Sequence, residues 1–149
     1  MICYIFFILI KLFFFISFSY FMFKLIKIEN GRMNVPEPEY YLSNAALACG
    51  QTVALSGGKL VANTATPTHI TLGAASAANE KVPCVRLESS QVYEVPVSAV
   101  PASGISVGAK IALHTTGTEV VATASESGIA TIVSLEDAKA AGDKITVRF

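Results

Sequence analysis

Side chains able to do chemistry are sparse in this chain. His69 and His114 are its only histidines, and Cys3, Cys49 and Cys84 its only cysteines. A zinc-type centre needs three or four convergent ligands. No Cys/His pair stands at ligand spacing, so both histidines read as exposed or hydrogen-bonded structural residues, and no metal or other cofactor is expected. Three irregularly spaced cysteines are not a disulfide framework. Cys49 and Cys84 either pair or remain buried free thiols, the commoner state for such residues. The serines are assigned no nucleophilic role. Ser56-Gly57-Gly58-Lys59 is too short for a phosphate loop and runs into strand-like Leu60-Val61-Ala62 rather than a helix. Glu136 and Asp137 are adjacent acids on a surface element with no partner placed opposite them. Taken together, these residues predict a protein without enzymatic activity.

The elements that would position any site divide at about residue 32. Residues 1–32 hold eight of the nine Phe and no Ala, Val, Thr or Pro. Residues 33–149 hold all 20 Ala and only one Phe, Phe149. Charge divides too: four Lys/Arg against Glu29 leave +3 before the break, and seven basic against ten acidic residues leave −3 after it. A domain at −3 without a basic cluster lacks the footprint of a nucleic-acid binder.

Two readings fit residues 1–32. Ile2–Phe23 is long enough to span a bilayer, for which about 20 residues suffice, although Lys11 sits mid-span. The basic residues after the span, Lys24, Lys27 and Arg32, would hold the remainder on the cytoplasmic face of the inner membrane. A cleaved signal peptide fits poorly, since there is no basic start and no small-x-small cleavage site. Alternatively, Phe, Ile, Lys, Tyr, Asn and Leu are what A/T-rich codons encode, and the segment is translated upstream DNA ahead of a start at Met33. A membrane partner follows only if residues 1–32 are truly translated.

Beyond the break, residues 33–43 read as an extended arm, because Pro36 and Pro38 favour a polyproline-like course, or else as a disordered N-terminus. Tyr40, Tyr41 and Leu42 would anchor it on a neighbour. Residues 44–149 read as short strands and turns. Gln51–Leu55 and Lys59–Ala62 flank Gly57-Gly58 as a hairpin. Lys110–Leu113 and Glu119–Ala122 flank a longer loop. Further strands are expected at His69–Ala74, Val82–Leu87, Val92–Val95, Ile129–Leu135 and Lys144–Phe149. Pro83 and Pro96 should demote their strands to edges or bulges. Leu135–Ala141 is either one helical turn or part of a loop. The fold class is all-β: a small sandwich or barrel of short antiparallel strands preceded by a hydrophobic segment.

An internal pseudo-repeat joins residues of about 50–87 to 108–149. Gly50-x-x-Val53-Ala54-Leu55 matches Gly108-x-x-Ile111-Ala112-Leu113, and Leu60-Val61-Ala62 matches Val120-Val121-Ala122. Val85-Arg86-Leu87 matches Val147-Arg148-Phe149, which makes Arg86 and Arg148 equivalent. Both arginines either face outward or form ion pairs between subunits. Tyr93–Pro101 would link the two copies.

The run Ile105-Ser106-Val107-Gly108-Ala109-Lys110-Ile111, then Gly117, Gly128-Ile129-Ala130 and Ala140–Phe149, resembles small phage virion proteins of the capsid-decorating or capsid-stabilising type. Gly50-Gln51-Thr52-Val53 with Gly57-Gly58 is similar to that family's opening hairpin. The resemblance covers about Leu42–Phe149 and rests on glycine placement and strand pattern. A hydrophobic leader is not part of it. It implies an all-β, non-enzymatic virion protein, made in the host cytoplasm and seated on the capsid exterior. Its partner would be the major capsid protein, and it would be a homo-oligomer there. Pro36, Pro38, Tyr40, Tyr41, Arg86 and Arg148 are the candidate capsid or subunit contacts.

Overall fold

Among the described residues, which are 23–28, 36–135 and 138–149 of this computed structural model, every regular element is a strand. The order is β1 (Lys24–Ile28), β2 (Glu39–Ser43), β3 (Thr52–Ser56), β4 (Lys59–Ala62), β5 (His69–Thr71), β6 (Lys81–Arg86), β7 (Gln91–Pro96), β8 (Lys110–Leu113), β9 (Val120–Ala124), β10 (Ala130–Ser134) and β11 (Lys144–Arg148). The first half is a closed barrel, β2-β4-β3-β5-β6. The second is a six-stranded sheet, β1-β7-β11-β10-β8-β9.

The two halves share one wiring. β3 pairs with β4 and β5, and β5 with β6; β8 pairs with β9 and β10, and β10 with β11. The opening strand of each half returns to the closing one, β2 to β6 and β7 to β11. β2 also meets β4 in parallel, where Asn44 N–H donates to the Leu60 carbonyl at 2.9 Å. The counterpart is a parallel bridge from Val97 to Val120, with Ser98 N–H donating to the Val120 carbonyl at 2.9 Å. The expected link at Tyr93–Pro101 therefore begins inside β7, a strand of the second half, to which Tyr93–Pro96 belong.

Register corrects one equivalence. Glu39 faces Cys84 as Tyr93 faces Val147, and Tyr41 faces Val82 as Val95 faces Ile145. Cys84 thus corresponds to Val147, and Arg86 to Phe149 rather than to Arg148. A shift of one residue moves a side chain to the other face of a strand, so the two arginines are not a matched pair.

Two other expectations change. Glu39–Ser43 is a barrel strand and not an arm, since Glu39, Tyr41 and Ser43 alternate inward while Tyr40 and Leu42 face out. Pro36 and Pro38 lie just before it, where they lack the N–H groups that would extend the ladder. Pro83 is not on an edge, because β6 pairs on both sides. Leu72 N–H donates to the Pro83 carbonyl at 2.7 Å, and the reciprocal bond that proline cannot make falls past the end of β5. The chain after Leu135 turns without a helix over residues 138–143, where the Asp143 carboxylate accepts from Lys139 and Ala140 N–H groups at 2.7 and 2.8 Å. Glu136 and Asp137 lie outside the described residues.

The first barrel is filled by Leu47, Val53, Leu60, Ala75, Val82 and Cys84, with Tyr41 against them. The larger core lies in the second half, around Tyr93, Val95, Ile111, Ile132, Ile145 and Val147. Ile70 and Val85, which face out of the first barrel, are buried in it and fasten the halves together.

The sheet also takes in the last residues of the leader. β1 pairs with β7, and Phe23 is buried against Tyr93 and Phe149, with ring centroids 6.3 and 5.6 Å away. The composition break at residue 32 is therefore not an edge of the fold. The rest of the expected span, Ile2–Met22, lies outside the described residues. Among the described residues no helix is long and apolar enough to cross a membrane. Burial makes Phe23 a structural residue. Phe23→Ala in the full chain should lower unfolding free energy by about 3 kcal/mol, measured as a shift of the urea midpoint at constant slope.

Candidate functional site

Two neighbouring features of the first barrel gather polar and exposed apolar residues that are distant in sequence. The first is the barrel mouth. Alternation along β2 places Glu39 and Tyr41 inward, and β5 begins there with His69. Tyr41 Oη donates to Glu39 Oε2 at 2.6 Å. His69 Nε2 lies 3.6 Å from that same oxygen, and its Nδ1 is 2.7 Å from Thr68 Oγ1. The Tyr41 and His69 rings meet edge-on at 5.8 Å. Arg86 stands opposite His69 on β6.

These contacts set the charge states. The hydrogen bond from Tyr41 holds the Glu39 carboxyl below its usual range, with His69 adding to the effect. Burial pushes the His69 imidazole below its usual value, and Glu39 opposes that only in part. Cys84, facing Glu39 in the ladder, has its thiol pushed up to about 11, chiefly by burial. Such a thiol stays protonated and packs as a small apolar group. The mouth is a polar cluster in which Tyr41 and His69 both converge on the Glu39 carboxylate, while Glu39 and Arg86 keep contact with solvent.

The second feature lies on the outside of the same strands. Leu72, just past β5, half-buried Pro83 on β6 and Tyr40 on β2 run side by side, since Pro83 faces Tyr40 in register and bonds Leu72. Tyr40 is 58% exposed, Leu72 46% and Leu42 42%. Leu42 lies between Lys81 and Lys59 in the adjoining row. The Lys81 ammonium sits 5.2 Å from the Tyr40 ring centroid, a cation–π contact. The result is an apolar strip with basic flanks, the kind of exposed patch that marks a contact surface.

Of the residues predicted as contacts, Tyr40, Tyr41 and Arg86 come together on the first barrel. Tyr41 points inward and is half-buried, on the opposite face of β2 from Tyr40. Pro36 is half-buried and Pro38 exposed, both leading into β2. Arg148 is exposed on β11, in the other half. His114 sits in the β8–β9 loop, 3.5 Å from Glu119. Cys49 and Cys84 are free thiols, Cys49 only half-buried. Among the described residues no three of His, Cys, Asp and Glu gather as a metal-ligand set.

Sequence reasoning missed Glu39, Lys81 and Leu72. The period-two run Glu39-Tyr40-Tyr41-Leu42-Ser43 carried the signal for the first of these. It also passed over Gly104-Ile105-Ser106-Val107-Gly108, which has the spacing of a nucleophile elbow. Ser106 is exposed in a turn leading into β8, with no helix after it, so the elbow geometry is absent there.

The mouth makes stability depend on pH. His69 has a lowered folded-state pKa, so its contribution is complete above its unfolded value of 6.5 and is lost as pH falls through the folded value. Glu39 adds a second loss further down, below 4.5. Urea midpoints should therefore drop from pH 7 to pH 5, and His69→Gln should flatten that part of the profile. No family model matches the chain, and no curated protein matches its sequence.

Proposed function

We propose that this chain is a non-enzymatic phage virion protein that decorates or stabilises the capsid exterior by binding the lattice of major capsid protein. The observation that carries this reading is the exposed strip of Leu72, Pro83, Tyr40 and Leu42 with its lysine flanks. It sits on a closed barrel, so the contact surface is rigid before it binds. A lattice ligand needs modest contacts multiplied by copy number rather than a reactive pocket. The −3 charge of residues 33–149 suits a protein that should not hold the packaged genome.

The full chain should bind empty capsids of a phage that encodes it saturably, at a fixed stoichiometry, and should raise capsid melting temperature. Tyr40→Asp combined with Leu72→Asp should weaken binding by about tenfold or more while leaving the circular dichroism spectrum intact. Absence of binding by the unaltered chain, or unchanged binding by the double variant, rejects the reading.

A second reading keeps the surface and changes its setting. Ile2–Phe23 leads directly into β1, and Phe23 is part of the core. An anchored chain would hold its β domain against the cytoplasmic face of the inner membrane as a protein-interaction module. A carbonate-resistant membrane pellet would favour that setting; a carbonate-soluble chain would exclude it.

A further inference from the structure

The two halves are joined by a contact that the fold could make twice and makes once. At the foot of β3, Gln51 and Thr52 form a seat. The β8–β9 loop of the second half fills it. Thr52 N–H and Oγ1 both donate to the Gly117 carbonyl, at 2.8 and 3.1 Å, and Gln51 Nε2 donates to the Thr116 carbonyl at 3.1 Å. The fit is close: a Cβ on Gly117, whose φ is +70°, would lie 2.9 Å from Thr52 Oγ1. Thr52 is fully buried.

The second half repeats the seat. Ala109 and Lys110 stand where Gln51 and Thr52 stand. Gly50 N–H donates to the Thr71 carbonyl as Gly108 N–H does to Ile132, and Thr71 N–H donates to Gln51 as Ile132 N–H does to Ala109. Beside the seat, Asn63 N–H bonds the Thr52 carbonyl, as Ser125 N–H bonds Lys110. Here, however, the seat is open. Ala109, Lys110, Ala124, Ser125 and Glu126 line a pocket of about 290 Å³.

The first half likewise repeats the plug. Its β3–β4 turn, Gly57-Gly58, corresponds to the loop that carries Gly117. Both glycines are exposed with positive φ, and a Cβ on either would meet nothing within 4 Å. One filled seat with a buried plug, and one open seat with an exposed plug, is the pattern of a head-to-tail contact used once within the chain.

We propose that the Gly57–Gly58 turn of one copy seats in the Ala109–Glu126 pocket of the next, continuing between chains the contact that already joins the halves. Charge supports the pairing. Lys59 directly follows the turn, its ammonium donating to exposed Asn79 Oδ1 at 2.7 Å and keeping its charge for Glu126, which lines the pocket, while Lys110 would face the turn's carbonyl groups. Side chains are absent from the turn, so its backbone can lie directly against this shallow, open depression. The contact is heterologous, and it builds a ring where the rotation closes and a filament where it does not.

Light scattering of the full chain across a concentration series should give masses at whole multiples of one chain. Ala124→Trp, at an exposed position, should weaken association about tenfold by filling the pocket. Lys59→Glu and Glu126→Lys should each weaken it about threefold or more, and together restore it, as a double-mutant cycle on a direct pair requires. The charge reversals keep the test decisive if the tryptophan variant does not fold. A one-chain mass at every concentration overturns the proposal. So does an oligomer that these substitutions leave unchanged, or single reversals that the double variant does not rescue.

Discussion

The antiparallel return of each opening strand onto its closing strand, β2 onto β6 and β7 onto β11, is the constraint on which the remainder rests. Strands of three to six residues bury little area singly. An isolated hairpin of that size is marginal in water. In the first half, joining first strand to last gives the short strands partners on both sides and encloses an interior; in the second it sets β11 between β7 and β10. That interior is narrow, which explains why its buried contents are Val, Ala, Leu and Cys, with the Tyr41 ring only partly buried against them. The same closure sets where prolines can stand. Pro83 is tolerated in a paired strand because β5 ends before the missing N–H would matter.

Closure also explains why two halves with one wiring have different chemistry at their mouths. Glu39, His69 and Arg86 of the first half correspond in register to Tyr93, Ala130 and Phe149 of the second. The first mouth is lined by charge and hydrogen bonds. At the corresponding end of the second half the Tyr93 and Phe149 rings meet, and Phe23, just ahead of β1, packs on both. The larger core follows from this difference. Ile70 and Val85 turn their backs on their own barrel and join the aromatic half, so the first barrel is held partly by a core that is not its own.

Much of this was legible in the sequence, and what was not has physical causes. The strands from β3 onward announced themselves through β-branched runs bounded by glycine and proline. The repeat was visible because its glycines and aliphatic residues hold nearly constant offsets. Its last segment was aligned one residue out, since Val-Arg occurs in both copies and the eye follows identity where the ladder follows register. β1 was hidden by a phenylalanine-rich vocabulary that reads as a leader, and β2 by the two prolines ahead of it. The mouth was not legible: Glu39, His69 and Arg86 meet only once the barrel closes, and spacing along the chain says nothing about closure. The apolar strip depends in the same way on three strands lying side by side.

A chain that carries the same wiring twice must also choose between its copies as it forms. By strand register alone, β2 could return to β11, and β7 to β6. The unlike mouths penalise that exchange. A mispaired β2 would set the Glu39 carboxylate among Phe23, Phe149 and Ala130, away from His69 and Arg86, and an ion with apolar neighbours is costly to bury. A mispaired β7 would bring the Tyr93 ring into a barrel sized for small side chains, where overpacking strains the structure. The dissimilarity between the halves is in this sense an address label, telling each strand which of two interchangeable partners is its own.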